Sequence, residues 1–148
     1  MTLLVPFDGS ELSVAALERA RDLADARDED VLAVTVLPAD AEYARSRGWV
    51  DGDEHLDPDR VEERLGRQVA DVAPGAAYRC AVVESDDPLA SAEMDVARTV
   101  RQVAAEVDAS VVVVGSENAG RVARPLTSVG SPVSEDPRYD VYIVRHAD

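Results

Sequence analysis

Residues 3–10 read LLVPFDGS, an apolar run that pauses at Pro6, resumes at Phe7 and ends in Asp8, Gly9 and Ser10. A short continuous apolar run that gives way to a carboxylate and a glycine, with helical periodicity from Glu11 onward, is the pattern of a buried parallel strand handing over to a helix. Open α/β sheets collect ligands at the carboxyl ends of such strands, which makes Asp8 and its neighbours the first candidate site residues. The helix that follows has Ser10 as N-cap, Glu11 in its first turn and an apolar stripe through Leu12, Ala16, Ala20 and Leu23 or Ala24.

The same alternation runs on through the chain. Val31 to Leu37 (VLAVTVL) is a second buried strand stopped by Pro38. Ala39 to Leu56 has no clean period and carries the only tryptophan, Trp49; it reads as a long excursion with room for a helical turn, of the kind that serves as a lid or partner surface. Asp57 and Pro58 form an N-cap and N1 pair for a second helix, with Val61, Leu65, Val69 and Val72 as its stripe, up to Pro74-Gly75. A third strand (Ala77 to Glu84), the acidic turn Ser85-Asp86-Asp87-Pro88, a helix presenting Val96, Val100, Val103 and Val107, a fourth strand (Val111 to Val114) and a last strand (Val141 to Val144) complete the order. Alternating strands and helices predict βαβ crossovers and a parallel sheet covered by helices. With 148 residues, 46% of them apolar, and no linker or repeat, one domain over residues 1–148 is expected.

Composition narrows the function. A net charge of −15 with no basic patch argues against nucleic acid and anionic membranes as partners. Neither a membrane-length apolar run nor a signal-peptide pattern is visible, so the cytoplasm is the expected compartment. Every basic residue is arginine, and aspartate outnumbers glutamate. That balance looks like proteins of salt-loving archaea, whose carboxylate surfaces are screened by high salt. Cys80 is the lone cysteine and reads as a buried, inert thiol. His55 and His146 lack partners at metal-ligand spacing and read as surface residues.

Gly115 to Val122 (GSENAGRV) follows a strand with P-loop glycine spacing, but Arg121 and Val122 stand where lysine and a magnesium-binding hydroxyl belong. Gly115, Gly120 and Gly130 either free backbone N–H groups for an anion-binding nest or simply make a long turn. Asp8 has three chemical options: metal ligand, phosphoacceptor or ligand contact. A chain without lysine lacks the partner a phosphoacceptor site uses, and the bland alternative is that Asp8 caps the turn into the first helix. Ser10, Ser116 and Ser131 have no accompanying base, which removes a hydrolase triad.

LLVPFDGSELSVAALERARDLA, VLAVTVLP and DPLASAEMDVARTVRQVAAEVDASVVVVGS together resemble the universal stress protein family over nearly the whole chain. The resemblance implies a three-layer, doubly wound, five-stranded parallel sheet of order 3-2-1-4-5. It also implies a homodimer paired through the last strand (Val141, Tyr142, Ile143, Val144), and in many members bound ATP, with magnesium as its companion ion. Carried across, Pro6, Phe7 and Asp8 lie near adenine and ribose, Val36 lines the adenine pocket, and Val114-Gly115 opens the phosphate loop. The family's ATP-binding members space their loop as Gly, two residues, Gly, nine residues, Gly-Ser; here two residues after Gly115 lead to Asn118. Taking Gly120 as the second glycine restores Gly130-Ser131, whereas counting back from the last strand places Ser128-Val129 at the family's Ser-Val position. Pro132 and Pro137 fall where a helix into the last strand is expected. The implied function is a regulatory or sensor dimer that binds an adenine nucleotide without turnover. A member that has lost nucleotide and works as an interaction module, through its dimer face and the acidic excursion, is the alternative. An adenylating or hydrolysing enzyme is disfavoured because Asp8-Gly9-Ser10-Glu11 replaces the SGGxDS-type loop.

Overall fold

The computed structural model describes residues 1–51, 55–84, 91–116 and 138–147. Five strands, β1 (Thr2–Pro6), β2 (Asp30–Pro38), β3 (Ala77–Val83), β4 (Ala109–Gly115) and β5 (Asp140–Val144), form one parallel sheet in the order β3-β2-β1-β4-β5. This is the expected 3-2-1-4-5 arrangement. Helices α1 (Glu11–Arg27), α2 (Ala41–Ser46), α3 (Pro58–Val72) and α4 (Ala92–Glu106) fill the connections. Ser10, Asp57 and Ser91 cap α1, α3 and α4, each side-chain oxygen accepting from a first-turn N–H.

Successive residues of a strand point to opposite faces, and the core splits accordingly. Leu3, Val5, Phe7, Ala33, Leu37, Val111 and Val113 pack against α1 and α3, while Leu4, Leu32, Val34, Val36, Val112 and Val114 pack against Val100, Val103 and Ala104 of α4. Central strands buried on both sides need the unbroken apolar runs seen in β1, β2 and β4. β3 and β5 lie at the sheet edges with mixed burial, and Tyr142 and Ile143 of β5 are exposed.

The stripe expected on α1 is shifted. Ser13, Ala15, Ala16, Leu17, Ala20 and Ala24 are buried, whereas Leu12 and Leu23 are only partly so. Small side chains let α1 lie close to the sheet, and the buried Ser13 hydroxyl is satisfied by donating to the Ser10 carbonyl at 2.9 Å. The 39–56 excursion does contain a helical turn, α2, but its described part is no loose surface loop: Tyr43, Ala44, Trp49 and Val50 are all buried in the α1/α3 core.

Candidate functional site

β1, β2 and β4 end together at the point where the sheet's connections part. α1 leaves β1 on one face, and α4 enters β4 from the other. The resulting cleft is lined by Pro6, Phe7, Asp8, Ser10, Leu12 and Ser13 from the first strand and turn, Val34 and Val36 from β2, Tyr43 from α2, Val96 and Val100 from α4, and Val114 and Gly115 from β4. It is open to solvent. Six residues singled out from the sequence, Pro6, Phe7, Asp8, Val36, Val114 and Gly115, thus line one surface. Gly120, Ser128, Val129, Gly130 and Ser131 lie outside the described residues.

Two glycines set the shape of this cleft. Gly9 has φ +85°, and a Cβ there would sit 2.8 Å from Leu65 Cδ2. The turn therefore needs glycine for both its left-handed backbone and its contact with α3. At Gly115 an added Cβ would come within 3.0 Å of Leu12 Cβ, so the end of β4 packs directly on the start of α1.

Both backbone polar groups of Phe7, and the carbonyl and carboxylate of Asp8, are held. Phe7 N–H donates to the Val34 carbonyl at 2.8 Å, and the Phe7 carbonyl accepts from Thr35 Oγ1 at 2.7 Å. Thr35 is fully buried and itself accepts from the Tyr78 hydroxyl at 2.8 Å. The Asp8 carbonyl accepts from Trp49 Nε1 at 3.0 Å, and Asp8 Oδ1 accepts from Ser10 N–H at 2.9 Å. Asp8 therefore does cap its turn, as the bland reading expected. Its second oxygen, Oδ2, faces Arg47 Nε at 3.1 Å.

Arg47 belongs to a cluster that closes this end of the cleft. Its guanidinium lies 4.4 Å from the centre of the Tyr43 ring, and Tyr43 meets Trp49 with ring centroids 5.7 Å apart. Burial pushes the Tyr43 phenol above its ordinary pKa, partly opposed by the nearby Arg47 charge. Further from the cleft, burial pushes Tyr78 up strongly and the Cys80 thiol up to about 11. Cys80 is half-buried rather than buried as expected, and the thiol is neutral near pH 7. Among the described residues, no group of three His, Cys, Asp or Glu side chains could hold a metal ion.

Sequence reasoning missed Tyr43, Arg47, Thr35 and Tyr78. One signal was present: Thr35 is the single polar residue inside VLAVTVL, and a hydroxyl in a strand buried on both faces requires a partner. Tyr43 and Arg47 stand four apart after the N-cap Asp40, one turn of helix, but nothing local says that this turn folds back onto Asp8.

The model of the universal stress protein family matches residues 1–145. The chain belongs to the universal stress protein family. Solved members share its fold at low identity. A universal stress protein crystallised in complex with cAMP is 24% identical with a TM-score of 0.55, covering 100% of this chain and 98% of that one. A family protein from Burkholderia pseudomallei is 22% identical with a TM-score of 0.60, covering 98% and 96%. The universal stress protein from Archaeoglobus fulgidus in complex with dAMP is 15% identical with a TM-score of 0.52, covering 97% and 96%. No curated protein sequence matches the chain. Among the described residues of this universal stress protein, no helix is long and apolar enough to cross a membrane.

Proposed function

We propose that this universal stress protein binds an adenine nucleotide, with ATP the first ligand to test, in the cleft between β1, β2 and β4, and acts as a regulatory dimer without evident turnover. The observation that carries the reading is the composition of the cleft. Pro6, Phe7, Val34, Val36 and Val114 give an apolar wall suited to a flat base, and Asp8 is the one charged side chain among the lining residues, placed to accept hydroxyl protons. Gly115, where a Cβ would crowd Leu12 at 3.0 Å, brings backbone close to the same space. The complexes of other family members with cAMP and with dAMP support an adenine ligand.

The test is nucleotide analysis of the purified protein together with calorimetric titration of ATP, with and without magnesium, at high salt. Bound nucleotide or saturable heat supports the reading; neither one favours an interaction module. Asp8→Ala should weaken adenosine binding while the melting transition stays cooperative, and full retention of affinity removes Asp8 from the site.

The dimer is proposed through β5, whose only described sheet neighbour is β4 and whose Tyr142 and Ile143 are 44% and 40% exposed. Ile143→Asp should give monomers or aggregates in light scattering; an unchanged oligomer moves the interface elsewhere.

A further inference from the structure

Asp8, the charged residue of the cleft, already has a cationic partner, Arg47. The two side chains are 16% and 22% exposed, and Asp8 Oδ2 lies 3.1 Å from Arg47 Nε. The contact is close but poorly directed: Nε is buried and makes no hydrogen bond among the described residues. The hydrogen bond that Nη1 of the same guanidinium donates to Ser46 Oγ is long, at 3.4 Å. Charge proximity and the Tyr43 ring, rather than a bidentate fork, thus hold Arg47 in place. Such a cation can be exchanged from one anion to another.

The electrostatics of the exchange select among ligands. None of the residues lining the cleft is basic, and the chain carries a net charge of −15; Arg47 stands beside the cleft as a positive group against two of its lining residues, Asp8 and Tyr43. A neutral nucleoside that takes Asp8 leaves a partly buried guanidinium without its counter-charge, which is costly. A ligand carrying a phosphate brings a replacement anion, and guanidinium suits phosphate oxygens geometrically. We propose that Arg47 is a specificity-determining residue of this cleft: it occupies Asp8 in the free protein and passes to the phosphate of an incoming adenine nucleotide, so that phosphorylated ligands are favoured over adenosine. This rests on the adenine-nucleotide reading above.

Adenosine and AMP differ by the one phosphate, so calorimetric titration of wild-type protein, Arg47→Gln and Arg47→Lys with both ligands, at one fixed salt concentration, tests the exchange. Wild type should prefer AMP by about tenfold or more, Arg47→Gln should reduce the preference to roughly threefold or less while binding adenosine at least as well as wild type, and Arg47→Lys should keep part of it. Arg47→Gln that retains the full preference, or that loses both ligands in equal measure while Arg47→Lys binds normally, overturns the assignment. Wild type that binds both ligands equally also overturns it, leaving the adenine reading intact. Wild type that binds neither overturns the adenine reading itself.

Discussion

Thr35→Val is the sharpest probe of how the cleft is held. The substitution is nearly isosteric, so it leaves no cavity, but it removes a hydroxyl that is fully buried and engaged twice, at 2.7 Å to the Phe7 carbonyl and 2.8 Å from the Tyr78 hydroxyl. Among the described residues no other donor reaches the Phe7 carbonyl, and an orphaned buried acceptor costs about 1–3 kcal/mol. Tyr78 is only half-buried and can turn its hydroxyl to water, so its loss adds at most about 1 kcal/mol. The total expected is about 2–3 kcal/mol, measured by urea unfolding in concentrated salt with far-UV circular dichroism as the signal. Tyr78→Phe alone should cost about 1 kcal/mol, because Thr35 still serves Phe7. In the Thr35→Val background the same change should cost almost nothing, giving a coupling energy near about 1 kcal/mol in the double-mutant cycle. Thr35→Val within about 0.5 kcal/mol of wild type, or fully additive single changes, would refute the relay from Tyr78 through Thr35 to Phe7.

Three further outcomes follow from the geometry. Gly9→Ala should destabilise by about 2–4 kcal/mol, combining the left-handed backbone penalty with the contact to Leu65; a loss under about 1 kcal/mol in the same unfolding assay would mean that the turn relaxes freely. Cys80 has a folded pKa raised to about 11 from an ordinary value of 9.0. The unfolded chain thus loses that proton first, and stability should fall as the pH rises from about 9 to about 11; Cys80→Ala should flatten that part of the stability profile, and an identical slope would assign it to the tyrosines. The excess of carboxylates behind the net charge of −15 should make the melting temperature rise by on the order of 10 °C from low to molar salt, and a constant value would refute charge repulsion as a major term.

The elements legible in the sequence were those whose apolar residues share one period. β1, β2 and β4 announced themselves as unbroken runs, and α3 by Val61, Leu65 and Val69 on one face. The order of the sheet and half of the cleft followed from matching those segments to a family. The cap over Asp8 did not follow, because Tyr43, Ala44, Trp49 and Val50 reach the core partly from a short helix and partly from the irregular chain after it, so no single period links them. For the same reason the burial of Trp49 was not legible: it is 6% exposed, and its indole N–H donates to the Asp8 carbonyl. Asp95 was equally hidden; it is buried in the first turn of α4, where the helix N-terminus favours a carboxylate and Arg98 lies 3.6 Å away.

The central place of β1 has a consequence for how the chain is made. Thr2 pairs with Asp30 on one side and with Ala109 on the other. This buried strand, with the Asp8 turn attached, therefore has one open flank until residues more than a hundred positions later have left the ribosome. Folding of the ligand cleft is tied to the closing of that long-range pair, so a nascent chain halted before β4 holds an exposed sheet edge and only half a cleft. In such a fragment Val114 and Gly115, which line the cleft beside Asp8, are still missing.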